Sequence, residues 1–337
     1  MRLVAVVAAA LVLAGCGGSS ASSGDLLVGA GSTLVFPLVA KWIPDYSKLH
    51  SVTITYGPIG SGGGILQVTN RAVDFGASDA PLSPGEQTTC KGCLQIPWAL
   101  AGTSIPYHLS GSPKHLKLTG QILADMYLGR ITSWADPAIA RMNPDVKLPS
   151  VPVTPIYRRD SSGTTYNVTD YLSKASPAFK DKVGTGTAVS FPTGTGATGS
   201  SGVAAALSAA QGSIGYLEAA YSIENGLSYA ALQNRAGKWT LPDRAAVGAA
   251  AATVTQVPPD NAVSIVDPPA SAPTAYPLST FTYAIVPRKS AKADLLKPFL
   301  LYAIGPGQQF AADLEFAELP AKILAADKAT IARITTG

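Results

Sequence analysis

Three short turns carry the residues best suited to chemistry. Ser32-Thr33, Ser61-Gly62-Gly63 and Ser162-Gly163-Thr164 each fall between a stretch that reads as a strand and one that reads as a helix. A helix N-terminus presents unsatisfied N–H groups and about half a positive charge. Ser or Thr there adds a hydroxyl donor, and Gly lets the backbone come close to a bound group. A single turn of this kind is ordinarily an N-cap and nothing more. Three in one chain, the third preceded by Arg158 and Arg159, point to helix ends converging on an anion. The planar fork of an arginine suits a tetrahedral oxyanion. Asp79, beside Ser78 at another strand end, would repel that anion unless a proton lay between them. It therefore reads as an acceptor for a protonated ligand oxygen, with a local turn cap as the plainer alternative.

The elements that must position these turns alternate. Asp25–Ala30 reads as a strand, Leu34–Leu49 as a helix with a kink or break at Pro44, and Ser51–Tyr56 as a half-buried strand. Val73–Ala77 reads as a buried strand ending at Ser78-Asp79. Val151–Tyr157 and Thr165–Ser173 repeat the strand-turn-helix texture around the arginines. Gly184–Gly202 reads as a long loop, Ile214–Leu217 as a strand, and Val257–Pro277, with six prolines, as a long surface connection. Strands alternating with helices predict an α/β protein with parallel strands. A length of 337 residues is enough for two domains, and 47% hydrophobic residues supply cores for both.

Composition narrows the function. The net charge is +4 without any run of Lys or Arg, which argues against a nucleic-acid partner. Three His and three Cys argue against a multi-ligand metal site. His50, His108 and His115 lie away from the turns. The enzyme patterns G-x-S-x-G, Walker A and H-E-x-x-H are missing. Gly194–Gly199 matches G-x-G-x-x-G but follows Phe191-Pro192-Thr193 rather than a β-run. It does not read as a dinucleotide site, and no cofactor is expected.

Met1-Arg2 and the apolar run Leu3–Leu13 read as a secretory signal, too short for a bilayer span of about 20 residues. Leu13-Ala14-Gly15-Cys16 resembles the lipobox of bacterial lipoproteins, in which the cysteine is lipidated. This gives a signal peptide over 1–15 and a lipidated Gly/Ser tether over 16–24. In an exported chain the pair in Cys90-Lys91-Gly92-Cys93 reads first as a disulfide, worth about 2 kcal/mol at most; free thiols or a metal are the alternatives.

At these residues the chain resembles the phosphate-specific substrate-binding proteins of bacterial ABC importers. The likeness runs through Gly29–Thr33, Ala40-Lys41-Trp42, Ile59–Gly64, Val73–Ser83, Tyr127-Leu128-Gly129, Arg158–Thr164, Val183–Gly186, Ile214-Gly215-Tyr216 and Tyr276-Pro277-Leu278. It implies an α/β, two-domain, flytrap-like periplasmic-binding-protein fold of type II-like form, each domain a mixed sheet flanked by helices, with two hinge crossovers. Residues 25–105 and 278–337 would form domain I, and 106–277 domain II. The resemblance places phosphate contacts on Ser32, Thr33, Leu34, Ser61, Asp79, Arg158, Ser162, Gly163 and Thr164, with Asp160 beside the arginine. Leu34 stands where some members carry Phe, Ser161 where Gly is usual, and Arg159 where a small residue is common. It further implies a monomeric, non-enzymatic receptor on the outer face of the cell membrane or in a periplasm, serving an importer's permease and ATPase. A phosphatase, or a receptor for sulfate or molybdate, is the rival.

Overall fold

A computed structural model describes residues 26–337. The signal, tether and Cys16 therefore lie outside the described residues. Two sheets organise the rest. The first has six strands in the order Leu217–Glu218, Cys93–Ser104, Ser279–Pro287, Phe75–Ser78, Leu26–Gly31 and Thr53–Gly57. Its last three run parallel, and Ser279–Pro287 is antiparallel to both neighbours. The second has five strands in the order Ser228–Tyr229, Pro106–His108, Ser213–Ile214, Thr154–Arg158 and Thr195–Ala197. Its last three are parallel. Each sheet with its helices forms a lobe with its own core. The first core gathers Trp42, Phe75, Trp98, Phe281 and Phe299; the second gathers Tyr107, Tyr127, Trp134, Phe179 and Tyr276.

Several elements depart from the sequence reading, each for a physical reason. The helix Phe36–His50 runs unbroken through Pro44. It buries Leu38, Val39, Trp42 and Tyr46 on one face, and this packing outweighs the one backbone hydrogen bond that proline removes. The expected loop 184–202 contains the strand Thr195–Ala197 and leads into the helix Gly199–Ala209. That strand holds no large apolar residue, so periodicity cannot reveal it; it forms by pairing in parallel with Ile156–Arg158. The expected strand over 214–217 is two pieces in different sheets: Ser213–Ile214 pairs with the second lobe and Leu217–Glu218 with Ser104 and Thr103 of the first. The chain thus passes between lobes here as well as at Ile105. The proline-rich stretch is not confined to the surface. Val263 and Ile265 enter the first core, and Val266 and Tyr276 the second.

Candidate anion site between the lobes

The first lobe brings three turns to the carboxyl ends of its parallel strands, where ligands bind in open α/β sheets. After Gly31, the Ser32 hydroxyl oxygen accepts from the Leu34 N–H at 3.0 Å and the Val35 N–H at 3.4 Å, turning the chain into its helix. The same hydroxyl donates to Asp79 Oδ1 at 2.5 Å. Ser61, first residue of the helix Ser61–Thr69, donates to Asp79 Oδ2 at 3.5 Å. Asp79 follows the strand Phe75–Ser78 and is only 2% exposed.

The second lobe faces these turns. Arg158 ends its strand and is 5% exposed. Its Nη1 donates to Thr33 Oγ1 of the first lobe at 3.1 Å, and its Nε to Asp160 Oδ1 at 2.7 Å, while Nη2 bonds Asp160 Oδ2. Arg159, by contrast, is exposed and donates to Thr198 Oγ1. Only Arg158 of the pair therefore enters the cluster. Ser162 caps the helix Gly163–Ala175 by accepting from the Thr165 N–H. The Gly163 N–H donates to Ser61 Oγ at 3.0 Å, and the Thr164 hydroxyl to Asp79 Oδ2 at 3.3 Å. Ser32, Thr33, Leu34, Ser61, Asp79, Arg158, Gly163 and Thr164 are thus drawn into one buried cluster, while the Ser162 hydroxyl caps its own helix and its N–H bonds the Thr187 carbonyl. The cluster offers hydroxyls, a guanidinium and helix-start N–H groups to an anion, with one carboxylate among them.

Burial pushes the Asp79 carboxyl up to about 6; the hydroxyls of Ser32, Thr164 and Ser61 and the charge of Arg158 oppose this without cancelling it. Asp160 shows the reverse balance. Burial disfavours its charge, but the Arg158 hydrogen bonds and charge, aided by the Gly199 N–H, hold it below the usual carboxylate range. Asp160 thus orients the guanidinium, leaving Nη1 directed at the first lobe. Among the described residues no group of three His, Cys, Asp or Glu side chains gathers as a metal centre.

Sequence reasoning missed several residues here. Tyr216 OH accepts from the Arg158 backbone N–H at 2.9 Å and pairs with Thr165 Oγ1 at 2.8 Å. Asn167 Nδ2 donates to the Asp79 and Gly163 carbonyls, tying the lobes together. A fourth turn of the same design is Thr198-Gly199-Ser200: Ser200 N–H donates to Thr33 Oγ1, and Gly199 N–H to Asp160 Oδ1. The G-x-G-x-x-G match does lie on a strand-turn-helix unit. Its helix-start N–H groups face this cluster.

Two glycines allow the lobes to meet. Gly60 has φ +90°, and a Cβ there would lie 2.6 Å from Asp160 Oδ2. A Cβ on Gly163 would lie 2.6 Å from the backbone nitrogens of Asp79 and Ala80, in the opposite lobe. Backbone cannot yield as a flexible side chain can. Gly163→Ala is expected to prop the cleft open at a cost of about 1–3 kcal/mol, weakening anion affinity more than fivefold. Calorimetric titration of the variant checks this; wild-type affinity would show that the lobes need not approach so closely.

Two α/β lobes joined by crossing strands, with an anion-suited cluster where their strand ends face, define the two-lobed class of solute-binding proteins. Residues 18–306 match the family model described as a PBP superfamily domain. A relative in Xylella fastidiosa (strain Temecula1), named phosphate-binding protein PstS, is 38% identical, covering 88% of this chain and 82% of its own. The Pasteurella multocida protein of the same name is 36% identical, with 88% and 87% covered. Among solved structures, a high-affinity periplasmic phosphate-binding protein (PfluDING) bound with phosphate matches the fold. Its TM-score is 0.71 at 23% identity, with 90% of this chain and 93% of that one covered. The chain belongs to the PBP superfamily and, within it, to the family of phosphate-binding proteins named PstS.

Proposed function

We propose that this protein is an extracytoplasmic receptor that binds inorganic phosphate between its lobes and delivers it to an ABC-type importer, without chemistry of its own. The observation that carries this reading is the buried Asp79 carboxylate set among donors from both lobes. A fully deprotonated oxyanion would meet it as a like charge. A phosphate oxygen that keeps a proton can donate to it. The contacts are Ser32, Thr33, Leu34, Ser61, Asp79, Arg158, Ser162, Gly163 and Thr164, with Asp160 orienting the arginine. On binding, hydroxyls that now donate to Asp79 turn to ligand oxygens, and the ligand proton replaces them on the carboxylate. Capture at about micromolar phosphate needs about −8 kcal/mol, and desolvating a dianion demands this density of donors. Titration with phosphate, sulfate and molybdate tests the reading, which expects phosphate to bind at least a hundredfold more tightly than either.

The domain division follows the same reading: 25–105 with 278–337 in one lobe, and 106–277 in the other. The helix Arg244–Ala251, whose Val247, Ala250 and Ala251 enter the first core, docks across. Bonding of Cys90 to Cys93, whose Cα atoms are 5.5 Å apart, suits an exported chain. The protein acts as a monomer held by a lipid on Cys16 to the outer face of the membrane, its importer partner being the permease and ATPase complex. Cys16→Ala is expected to move the protein from the membrane fraction to the soluble fraction. Undiminished membrane retention of that variant would contradict the anchor.

A further inference from the structure

The turn that opens the first helix is held from behind by two tyrosines. Tyr56, on the strand Thr53–Gly57 of the same lobe, donates its hydroxyl to the Ser32 carbonyl at 2.8 Å. Tyr221 donates to the next carbonyl, that of Thr33, at 3.1 Å. In a trans peptide the C=O and the following N–H point in opposite directions. A donor on the Thr33 carbonyl therefore fixes the direction of the Leu34 N–H, which joins the Ser32 hydroxyl at 3.0 Å in the cluster.

The origin of Tyr221 sets it apart from Tyr56. It lies on the short helix Ala219–Glu224, directly after Leu217–Glu218, the strand that has just crossed from the second lobe. It packs against the small cluster of Ile156, Val203, Ala204, Leu207, Leu217 and Leu227, half of which comes from the helix Gly199–Ala209 of the second lobe. That helix also sends Ser200 N–H to Thr33 Oγ1 at 3.2 Å. Thr33 is thus held at its carbonyl by a hinge residue seated on the second lobe, and at its hydroxyl by the second lobe itself. Glu218 steadies the base of this arm: it is fully buried, and its Oε1 accepts from the Ala220 N–H at 2.9 Å.

Resting on the phosphate reading above, we propose that Tyr221 is a positioning residue of the anion site. Its hydroxyl, carried by the hinge and the second lobe, locks the Thr33–Leu34 peptide in its binding orientation while the lobes are together. It touches no ligand. Its loss leaves the Thr33 carbonyl short of a donor in the arrangement that holds the ligand, so it shows in release rather than in capture.

Tyr221→Phe keeps the ring and removes the donor. The variant is expected to release radiolabelled phosphate, chased with unlabelled phosphate, about tenfold faster, equivalent to roughly 1.4 kcal/mol. The association rate should stay within about twofold, and so should the melting temperature of phosphate-free protein within about 2 °C. Release at the wild-type rate overturns the proposal. So does faster release accompanied by a lower phosphate-free melting temperature, which would assign the hydroxyl to general stability. Should the wild-type protein retain no phosphate, the functional reading fails and this inference with it.

Discussion

Arg158→Ala is expected to cost about 2–5 kcal/mol of phosphate binding, roughly thirtyfold to several thousandfold in affinity. Arg158 is nearly buried, so its charge works in a low dielectric and meets little competition from water. Removing it leaves a desolvated anion without its only guanidinium partner in the cluster, and Asp160 without its counter-ion. The Nη1 bond to Thr33 across the cleft is lost as well. Arg159→Ala provides the internal comparison. That side chain is exposed and, among the described residues, bonds only Thr198 Oγ1, so its removal should change affinity by less than about threefold. Calorimetry on both variants decides the matter; a larger loss at Arg159 would move the ligand contact by one residue.

The second large effect is on selectivity. Phosphate at neutral pH keeps at least one proton, and sulfate keeps none. In wild type the Asp79 carboxylate should therefore exclude sulfate by at least about a hundredfold, since like charges at a closed site cost several kcal/mol. Asp79→Asn offers an N–H in place of one oxygen and should narrow that gap by at least about tenfold, with a smaller loss for phosphate. Competition calorimetry in both proteins reads it. An unchanged ratio would remove Asp79 as the discriminator.

The raised pKa of Asp79 carries a further consequence for the phosphate-free protein. Burial lifts this carboxyl from 3.8 to about 6. The folded protein therefore favours the protonated form. Its contribution to stability is full below the unperturbed value and fades as pH rises through about 6. At neutral pH the ionised carboxylate costs stability until a protonated phosphate oxygen arrives. The melting temperature of the phosphate-free protein should therefore fall between about pH 5 and about pH 7 relative to that of Asp79→Asn.

Much of this site was legible because anion chemistry leaves local marks. Ser61 and Ser162 stand at helix starts and Ser32 in the turn that precedes one, where hydroxyl and glycine choices are visible in a short window, and Arg158 ends a strand with clear β-character. What periodicity could not show was pairing between distant segments. Thr195-Gly196-Ala197 has no apolar pattern and becomes a strand only beside Ile156–Arg158, which hid Ser200 and the fourth turn. Tyr216 and Tyr221 draw no functional reading from the sequence because nothing local says that their hydroxyls reach Arg158 and Thr33. The unbroken helix through Pro44 was hidden for a similar reason, since its stability comes from Trp42 packing on Trp98, with ring centroids 5.2 Å apart. The resemblance supplied Leu34 and Asp160, which residue chemistry alone had not singled out.

The most direct measurement is a crystal structure of the mature protein grown with phosphate. The account predicts the anion between the lobes, with the Arg158 guanidinium, the Ser61 and Thr164 hydroxyls and the Leu34 and Gly163 N–H groups within about 3.2 Å of its oxygens. One further oxygen should lie at hydrogen-bond distance from the Asp79 carboxylate. Phosphate located elsewhere, or bound in the cleft with Asp79 turned away from every oxygen, would contradict it.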